Sequence, residues 1–400
     1  VSLSDVLESA LVTTATGFPV ESEVWDAVVI GAGPAGSLAA HELAVSGSRV
    51  LLVERKPFPR DKVCGACLNG QAMAVLQGCG LGKLVAGLGG VELHEFQLKS
   101  RGHGARIDLP VGAAISRSRF DKALVDAAVD RGVRFMSHTQ ATVGRLENGA
   151  RMVRLADRDH TTQVAARVVL AAAGLGNPCR QNSAEHLSRI DPGSRIGAGC
   201  DIAQAPDFYG SGTIYMAVGD DGYVGLVRIE DGSLNVAAAF DSEFVRRRGG
   251  LGSAAAEIVR ESGFPAIPGL ELSHWQGTPR LTRRARVLAE ERLFVLGDAT
   301  GYVEPITGEG MAWALASAQA IAPLAHRAID RWNGSLIREW SSIHRRLVIE
   351  RQLVCRLAAL TLRKPWLTRI AIELMTRTPR AAGRIVGRLN APPSLSTKAS

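Results

Sequence analysis

The sequence predicts an α/β fold: a doubly wound parallel sheet built from separate stretches of chain, a second domain made of an antiparallel sheet, and a helical C-terminal region. Three observations carry this. Val28-Val-Ile30 runs into Gly31-Ala-Gly33-Pro34-Ala35-Gly36, then into helix-forming Ser37 to Ala44, then into a second apolar run, Val50 to Val53, closed by Glu54. Apolar runs that end in small residues recur at 167–174 and 293–299, as expected of parallel strands buried on both faces. Between 195 and 280 the texture changes to short strands separated by turns.

The glycine loop comes first. Gly31 permits a tight turn, Gly33 lets the backbone approach a pyrophosphate, and Gly36 lets helix and strand pack closely. Pro34 and Ala35 open the helix, whose unpaired N–H groups and dipole favour negative charge. Glu54 is placed to accept hydrogen bonds from ribose hydroxyls, and Arg55 lies beside it. A bare glycine triplet would be a weak signal. Strand, glycines, helix and acid in series predict a Rossmann-like unit that binds an adenine dinucleotide.

A second motif selects the dinucleotide. Leu293-Phe-Val-Leu-Gly297-Asp298-Ala299 is an apolar strand ending in Gly-Asp, and it leads through Thr300-Gly301 to Pro305-Ile-Thr-Gly308-Glu309-Gly310-Met311. With these residues the chain resembles the FAD-binding oxidoreductases of the para-hydroxybenzoate hydroxylase fold, and within them the geranylgeranyl reductase-like family. The resemblance implies FAD. It implies that Asp298, after Gly297, holds a ribityl hydroxyl. It also implies that Pro305, Gly308, Glu309, Gly310 and Met311 pass along the flavin ring, where glycines allow the main chain to approach.

Pro59-Arg60-Asp61-Lys62-Val63-Cys64-Gly65-Ala66-Cys67 is similar to the proline, four residues, Cys-Gly pattern of that family, which implies that Cys64 and Gly65 lie beside the flavin at the reaction site. Cys64 and Cys67 also form a Cys-x-x-Cys. No second ligand pair of zinc spacing follows it, and the thioredoxin-like context of a redox dithiol is missing. A redox pair and plain loop cysteines both remain as alternatives. Arg117-Ser-Arg119-Phe120-Asp121 resembles the family's Arg-x-x-Leu/Phe-Asp element, which implies that Arg117 pairs bidentately with the pyrophosphate; Arg119 reads as a solvated charge. Arg167 to Asn177 is similar to the Ala-Asp-Gly-x-x-Ser segment of the hydroxylases. Here Ala173 and Asn177 replace its Asp and Ser. That segment is tied to nicotinamide use, so the electron donor is left open between NADPH and a partner protein.

The domain plan follows. Residues 1–23 form an extension; 24–80, 110–190 and 285–335 form the FAD-binding domain; 81–109 and 195–284 form the substrate domain; 336–400 form a basic helical region. Gly212 to Ala217, Gly222 to Arg228 and Ser233 to Phe240 read as strands, with Asp220-Asp221-Gly222 and Asp231-Gly232 as hairpin turns. The reductases carry Tyr-x-Trp-x-Phe-Pro on this sheet. The aligned Tyr223-Val-Gly225-Leu-Val227-Arg228 keeps only the tyrosine, so the isoprenoid substrate does not carry over. Tyr223 is either a cavity residue or a cross-strand packing residue. No Trp-x-Trp pair occurs, which speaks against the flavin halogenases.

Composition limits the remaining choices. Residues 331–400 hold fourteen Lys or Arg against three acids, while the whole chain is +8, so the basicity is concentrated in the tail. Leu353 to Arg388 alternates apolar turns with arginines, and two readings compete. Basic amphipathic helices can lie on anionic membranes; alternatively, short helices broken by Pro365 and Pro379 pack on the domain with charged faces in water, which allows only weak peripheral membrane contact. With 5% aromatic residues, nucleic-acid binding has no support beyond charge. Six cysteines without a signal sequence predict a reducing, cytoplasmic setting. No run of 18 apolar residues predicts a membrane span, and no metal site is expected.

The expected function is FAD-dependent oxidoreduction of a lipophilic or aromatic small molecule. Double-bond reduction is favoured by the Cys64-Gly65 motif, with the Cys64 thiol as proton donor, since an ordinary thiol is mostly protonated at neutrality. Aromatic hydroxylation is the alternative within the same chemistry. An electron-relay flavoprotein at the membrane is the alternative of another class, although no iron–sulfur cysteine spacing supports it.

Overall fold

A computed structural model describes residues 24–175, 188–304, 308–378 and 383. Its first sheet has a parallel centre in the spatial order Leu293–Val295, Thr161–Ala171, Val24–Ile30, Val50–Val53, Arg134–Met136. Val24–Ile30 lies in the middle and pairs in parallel with Thr161–Ala171 on one side and Val50–Val53 on the other. Such a reversal of strand order opens a crevice at the carboxyl ends of the strands.

Burial explains the composition of these strands. Ala27, Val28, Val29, Leu51 and Leu52 are all fully buried. One face packs on helices Pro34–Val45, Arg117–Val129 and Gly310–Asp330 through Leu38, Leu43, Phe120, Leu124, Leu315 and Ile321. The other face is covered by strands Gln140–Glu147 and Ala150–Ala156, which fold back on the long Thr161–Ala171 as an antiparallel meander and bury Val143, Val153, Leu155 and Val164.

The second sheet has seven strands in the order Gln276–Arg280, Ile196–Ile202, Leu234–Phe240, Gly222–Arg228, Thr213–Val218, Glu95–Ser100, His103–Asp108. The hairpins expected at Asp220-Asp221-Gly222 and Asp231-Gly232 are present. One pairing departs from the antiparallel pattern: Thr213–Val218 runs parallel to Glu95–Ser100. More than a hundred residues separate these two strands, so no tight turn dictates their relative direction. Helix Leu251–Ser262 backs this sheet through Ala255, Ile258 and Val259.

Helices Glu350–Leu362 and Pro365–Arg377 close the chain. Ile372 is buried in a cluster with Leu98, Met216 and Tyr223, and Cys355 in one with Val303 and Trp313. The C-terminal helices therefore pack on the body, but their outer faces are not the charged surfaces expected. Leu353, Leu357, Leu360, Trp366, Ile370 and Leu374 are exposed. Among the described residues no helix is long and apolar enough to cross a membrane.

The tightest contact in the first domain is at Gly36. A Cβ there would stand 1.9 Å from the Gly31 carbonyl oxygen, with no flexible neighbour to give way. Gly36→Ala should destabilise the protein by about 1–3 kcal/mol, the usual cost of overpacking. Urea denaturation at fixed flavin loading checks this, and a neutral result would mean that helix and strand separate freely.

Candidate active site

Loops at the carboxyl ends of four adjacent parallel strands build the site. Gly31 follows Val24–Ile30, Glu54 follows Val50–Val53, Ala172 to Gly174 follow Thr161–Ala171, and Leu296 to Asp298 follow Leu293–Val295. Helix Pro34–Val45 starts at Gly33 with no side-chain cap, so its first N–H groups are left for an anion. A Cβ on Gly33 would lie 3.7 Å from Nη2 of Arg60 and 3.9 Å from Nη2 of Arg117. Two guanidinium groups and a helix N-terminus thus converge on one point, which suits a pyrophosphate.

Both arginines are held by carboxylates. Arg117 donates through Nε and Nη2 to the two oxygens of Asp121, at 2.9 and 2.8 Å, and Asp121 is fully buried. Arg60 donates to Asp121 and to Glu54, at 3.2 Å each. Glu54 in turn accepts from the backbone N–H of Ala32 at 3.1 Å and of Lys56 at 3.0 Å. The side-on fork of Arg117 is engaged by Asp121, which leaves Nη1 and the outer N–H of Nη2 as the edge that can meet phosphate.

From this cradle a cavity of about 760 Å³ runs to the second sheet. Asp298 lines it and faces Lys62 at 3.6 Å. Loss of water pushes the Lys62 ammonium below its usual value, and Asp298 opposes that shift. Gly308, Glu309, Gly310 and Met311 line the cavity at the start of helix Gly310–Asp330. Glu309 is buried and accepts from the Cys355 thiol at 3.5 Å; burial pushes its carboxyl up to about 7 against that hydrogen bond and nearby Arg351.

The cysteines of the turn differ. Cys64 and Gly65 line the cavity, as does Arg117. A Cβ on Gly65 would meet nothing within 4 Å. Cys67 donates to the Gly65 carbonyl at 2.9 Å, and burial, aided by Cys64, pushes its thiol far up. On the second sheet Tyr223 is buried, lines the same cavity, and its hydroxyl has no hydrogen-bond partner among the described residues. Burial, with Glu304 nearby, holds its proton well beyond the usual phenol range.

Some of the residues singled out in the sequence stand back from the cavity. Gly36 and Gly297 serve packing: a Cβ on Gly297, at φ +61°, would meet the Cβ of Ala35 at 2.8 Å. Arg55 is exposed at the cavity's edge. Pro305 and Asn177 lie outside the described residues. Arg60 and Lys62 were not anticipated, although both sit inside the Pro59–Cys67 stretch. Two cations immediately before the Cys-Gly turn were the available signal. Arg119 is largely exposed but faces Glu230 at 3.4 Å, so it ties the two domains rather than being merely solvated.

Comparison with known proteins decides the cofactor. The family model for an FAD binding domain matches residues 24–204. The chain is an FAD-dependent oxidoreductase. This flavoenzyme is 26% identical over 341 residues to the menaquinone reductase of Mycobacterium tuberculosis H37Rv, covering 80% of this chain and 79% of that one. It is 25% identical over 335 residues to the digeranylgeranylglycerophospholipid reductase of Methanosarcina acetivorans, covering 78% of each. Its fold matches the p-nitrophenol 4-monooxygenase PnpA of Pseudomonas putida with a TM-score of 0.74, at 15% identity over 92% of this chain and 99% of that one. The likeness to geranylgeranyl reductase-like proteins thus spans most of the flavoenzyme. The residues present fit FAD: Gly33, Arg60 and Arg117 would hold its pyrophosphate, Glu54 the ribose, and Asp298 the ribityl chain.

Two outcomes are expected. Gly33→Val fills the cradle without striking any backbone, so the protein should fold and lose FAD, whereas Asp298→Ala should weaken FAD by about 1–3 kcal/mol; flavin content and binding titrations measure both. Glu309, with a native pKa of about 7 against an ordinary 4.5, holds its proton to higher pH than the unfolded chain does. Its contribution is present below about pH 4.5 and lost as pH rises through about 7, so native stability falls across that window. Glu309→Gln should remove that fall; His344, pushed down to about 4 by burial, acts in the opposite sense and is common to both proteins. Parallel denaturation series at several pH values should differ between the two proteins.

Proposed function

We propose that this flavoenzyme reduces a carbon–carbon double bond in a lipophilic small molecule. The observation that carries the reading is the cavity wall. Phe96, Leu98, Ile107, Met216, Leu226 and Leu281 line it next to the phosphate cradle, while only a few polar groups, Cys64 and Tyr223 among them, reach the substrate end. Such a wall takes an apolar chain or ring and excludes water. The reductase names of the sequence relatives support reduction over hydroxylation, since the likeness to the monooxygenase concerns the fold alone.

Bound FAD supplies the hydride. The chain's own residues orient the substrate against it, exclude water, and hold the proton that the neighbouring carbon must receive. Cys64, which lines the cavity at the Cys-Gly turn, is the proton donor in this reading. Tyr223, with an unpaired hydroxyl and a firmly held proton, orients a polar group of the substrate and does not ionise. The electrons reach FAD from a partner protein in preference to NADPH, because Ala173 stands where the hydroxylases carry an aspartate. Localisation is cytoplasmic, with membrane contact confined to the periphery.

Cys64→Ala should keep FAD and slow the chemical step by about 10²–10⁴-fold, as expected for loss of a general acid, whereas Cys67→Ala should change little. Anaerobic stopped-flow reoxidation of the reduced protein by an alkene substrate measures both at equal flavin loading. Equal, severe loss in the two variants would mean a dithiol mechanism. In the reductive half-reaction, NADPH should reduce the flavin more slowly than about 10 per second, a middling enzymatic rate. Faster reduction would show that the aspartate missing at Ala173 is unimportant.

A further inference from the structure

We propose that the outer face of the two C-terminal helices is a docking surface for an anionic lipid bilayer. Leu353, Leu357 and Leu360 project from Glu350–Leu362, and Trp366, Ile370 and Leu374 from Pro365–Arg377. The second set recurs every fourth position, so it forms one stripe. Exposure is large: Leu357 is 65%, Trp366 63% and Leu374 58% exposed. Single exposed apolar residues need no explanation, but six gathered on two consecutive helices form a surface that soluble proteins rarely leave in water.

Charge selects the occupant. Between 350 and 377 the chain carries six basic residues against two acids, and Arg380, Arg384, Arg388 and Lys398 follow with no acid. Lys364, Arg369 and Arg377 are exposed beside the stripe. An apolar face with a basic border is how an interfacial helix meets acyl chains and anionic headgroups together. A second copy of this chain would bring the same positive charge to the contact, which disfavours self-association. A tryptophan on the apolar face suits the bilayer boundary, where an amphipathic ring is at home.

The position of these helices adds a reason for docking. On their other faces Ala358, Thr361, Leu362, Ala371 and Met375 line the cavity. A helix is roughly 10 Å across, so a docked protein would hold its cavity about one helix thickness from the bilayer. The docking surface itself stands on exposure and charge. Its use for substrate access rests on the function proposed above, and binding to vesicles is read without turnover, so the two can fail separately.

The test uses the full-length holoprotein with phosphatidylcholine vesicles, with and without phosphatidylglycerol. The expected result is cosedimentation with the anionic vesicles, weakened but not abolished at physiological salt, where exposed charges are screened beyond about 8 Å. Binding should shift tryptophan emission to the blue, and that shift should disappear in Trp366→Phe protein that still cosediments. Leu357→Glu with Leu374→Glu, both on the surface, should keep flavin content and lose affinity by about tenfold or more, equivalent to about 1.4 kcal/mol. Failure of the wild type to bind overturns the proposal. So does binding that the double variant leaves intact, which would make the attraction charge alone. Dimerisation abolished by the double variant, with no vesicle-induced shift, would assign the face to a second copy. A Trp366 signal blind to vesicles in a monomer would assign it to the chain's own last residues.

Discussion

The clamp of two arginines between two buried carboxylates is the constraint on which the site depends. Glu54 and Asp121 hold Arg60, and Asp121 also holds Arg117. Removing Asp121 would leave the buried Arg117 guanidinium without its carboxylate, a costly state. The four residues come from the end of the second strand, the Cys-Gly turn and the first turns of helix Arg117–Val129. One network therefore joins three segments of chain and aims two positive charges at Gly33. It also ties down the stretch that leads to the Cys64 turn, because Arg60 lies four residues ahead of that cysteine.

A second buried network joins the sheet of the other domain to the C-terminal helices. Arg195, 1% exposed, faces Asp241 at 3.5 Å and Glu304 at 3.6 Å. Arg363 donates to Glu304 at 3.0 Å and to the Gly193 carbonyl at 2.7 Å. Glu304 lies just ahead of the segment expected along the flavin, and Tyr223 is close enough to feel its charge. The wall of the cavity, its approach to the flavin and the helices that cover it are thus mechanically linked. Substitutions at Arg363 would disturb the Tyr223 side of the cavity as well as the surface above it.

The division of labour is plain in charge and polarity. The dinucleotide end gathers guanidinium groups, helix N–H groups and glycines, which suit phosphate. The far end is walled mostly by aliphatic and aromatic side chains, and the Tyr223 hydroxyl there has no partner among the described residues. One cavity is lined by both sets of residues, which brings a site for a bound cofactor next to a site for an apolar ligand.

The sequence by itself determined the parts whose chemistry is local. The Gly31–Gly36 loop, Glu54 and Gly297-Asp298 were legible because each needs residue types that a strand end cannot accept by chance: no Cβ at Gly36, left-handed φ at Gly297, a carboxylate after an apolar run. Alternation and Asp-Gly turns likewise made the hairpins at 220–234 legible. Only tertiary structure decided the parts assembled across distance. Arg60 and Lys62 carried no assigned role in the sequence; folding brings them to Gly33 and Asp298. The spent fork of Arg117 depended on Asp121 one helical turn away, a pairing that sequence allows but does not require. The parallel pairing of Thr213–Val218 with Glu95–Ser100, and the apolar outer face of the last helices, were hidden for one reason. Periodicity shows that a helix or strand has an apolar face, but not which of its faces finds a partner.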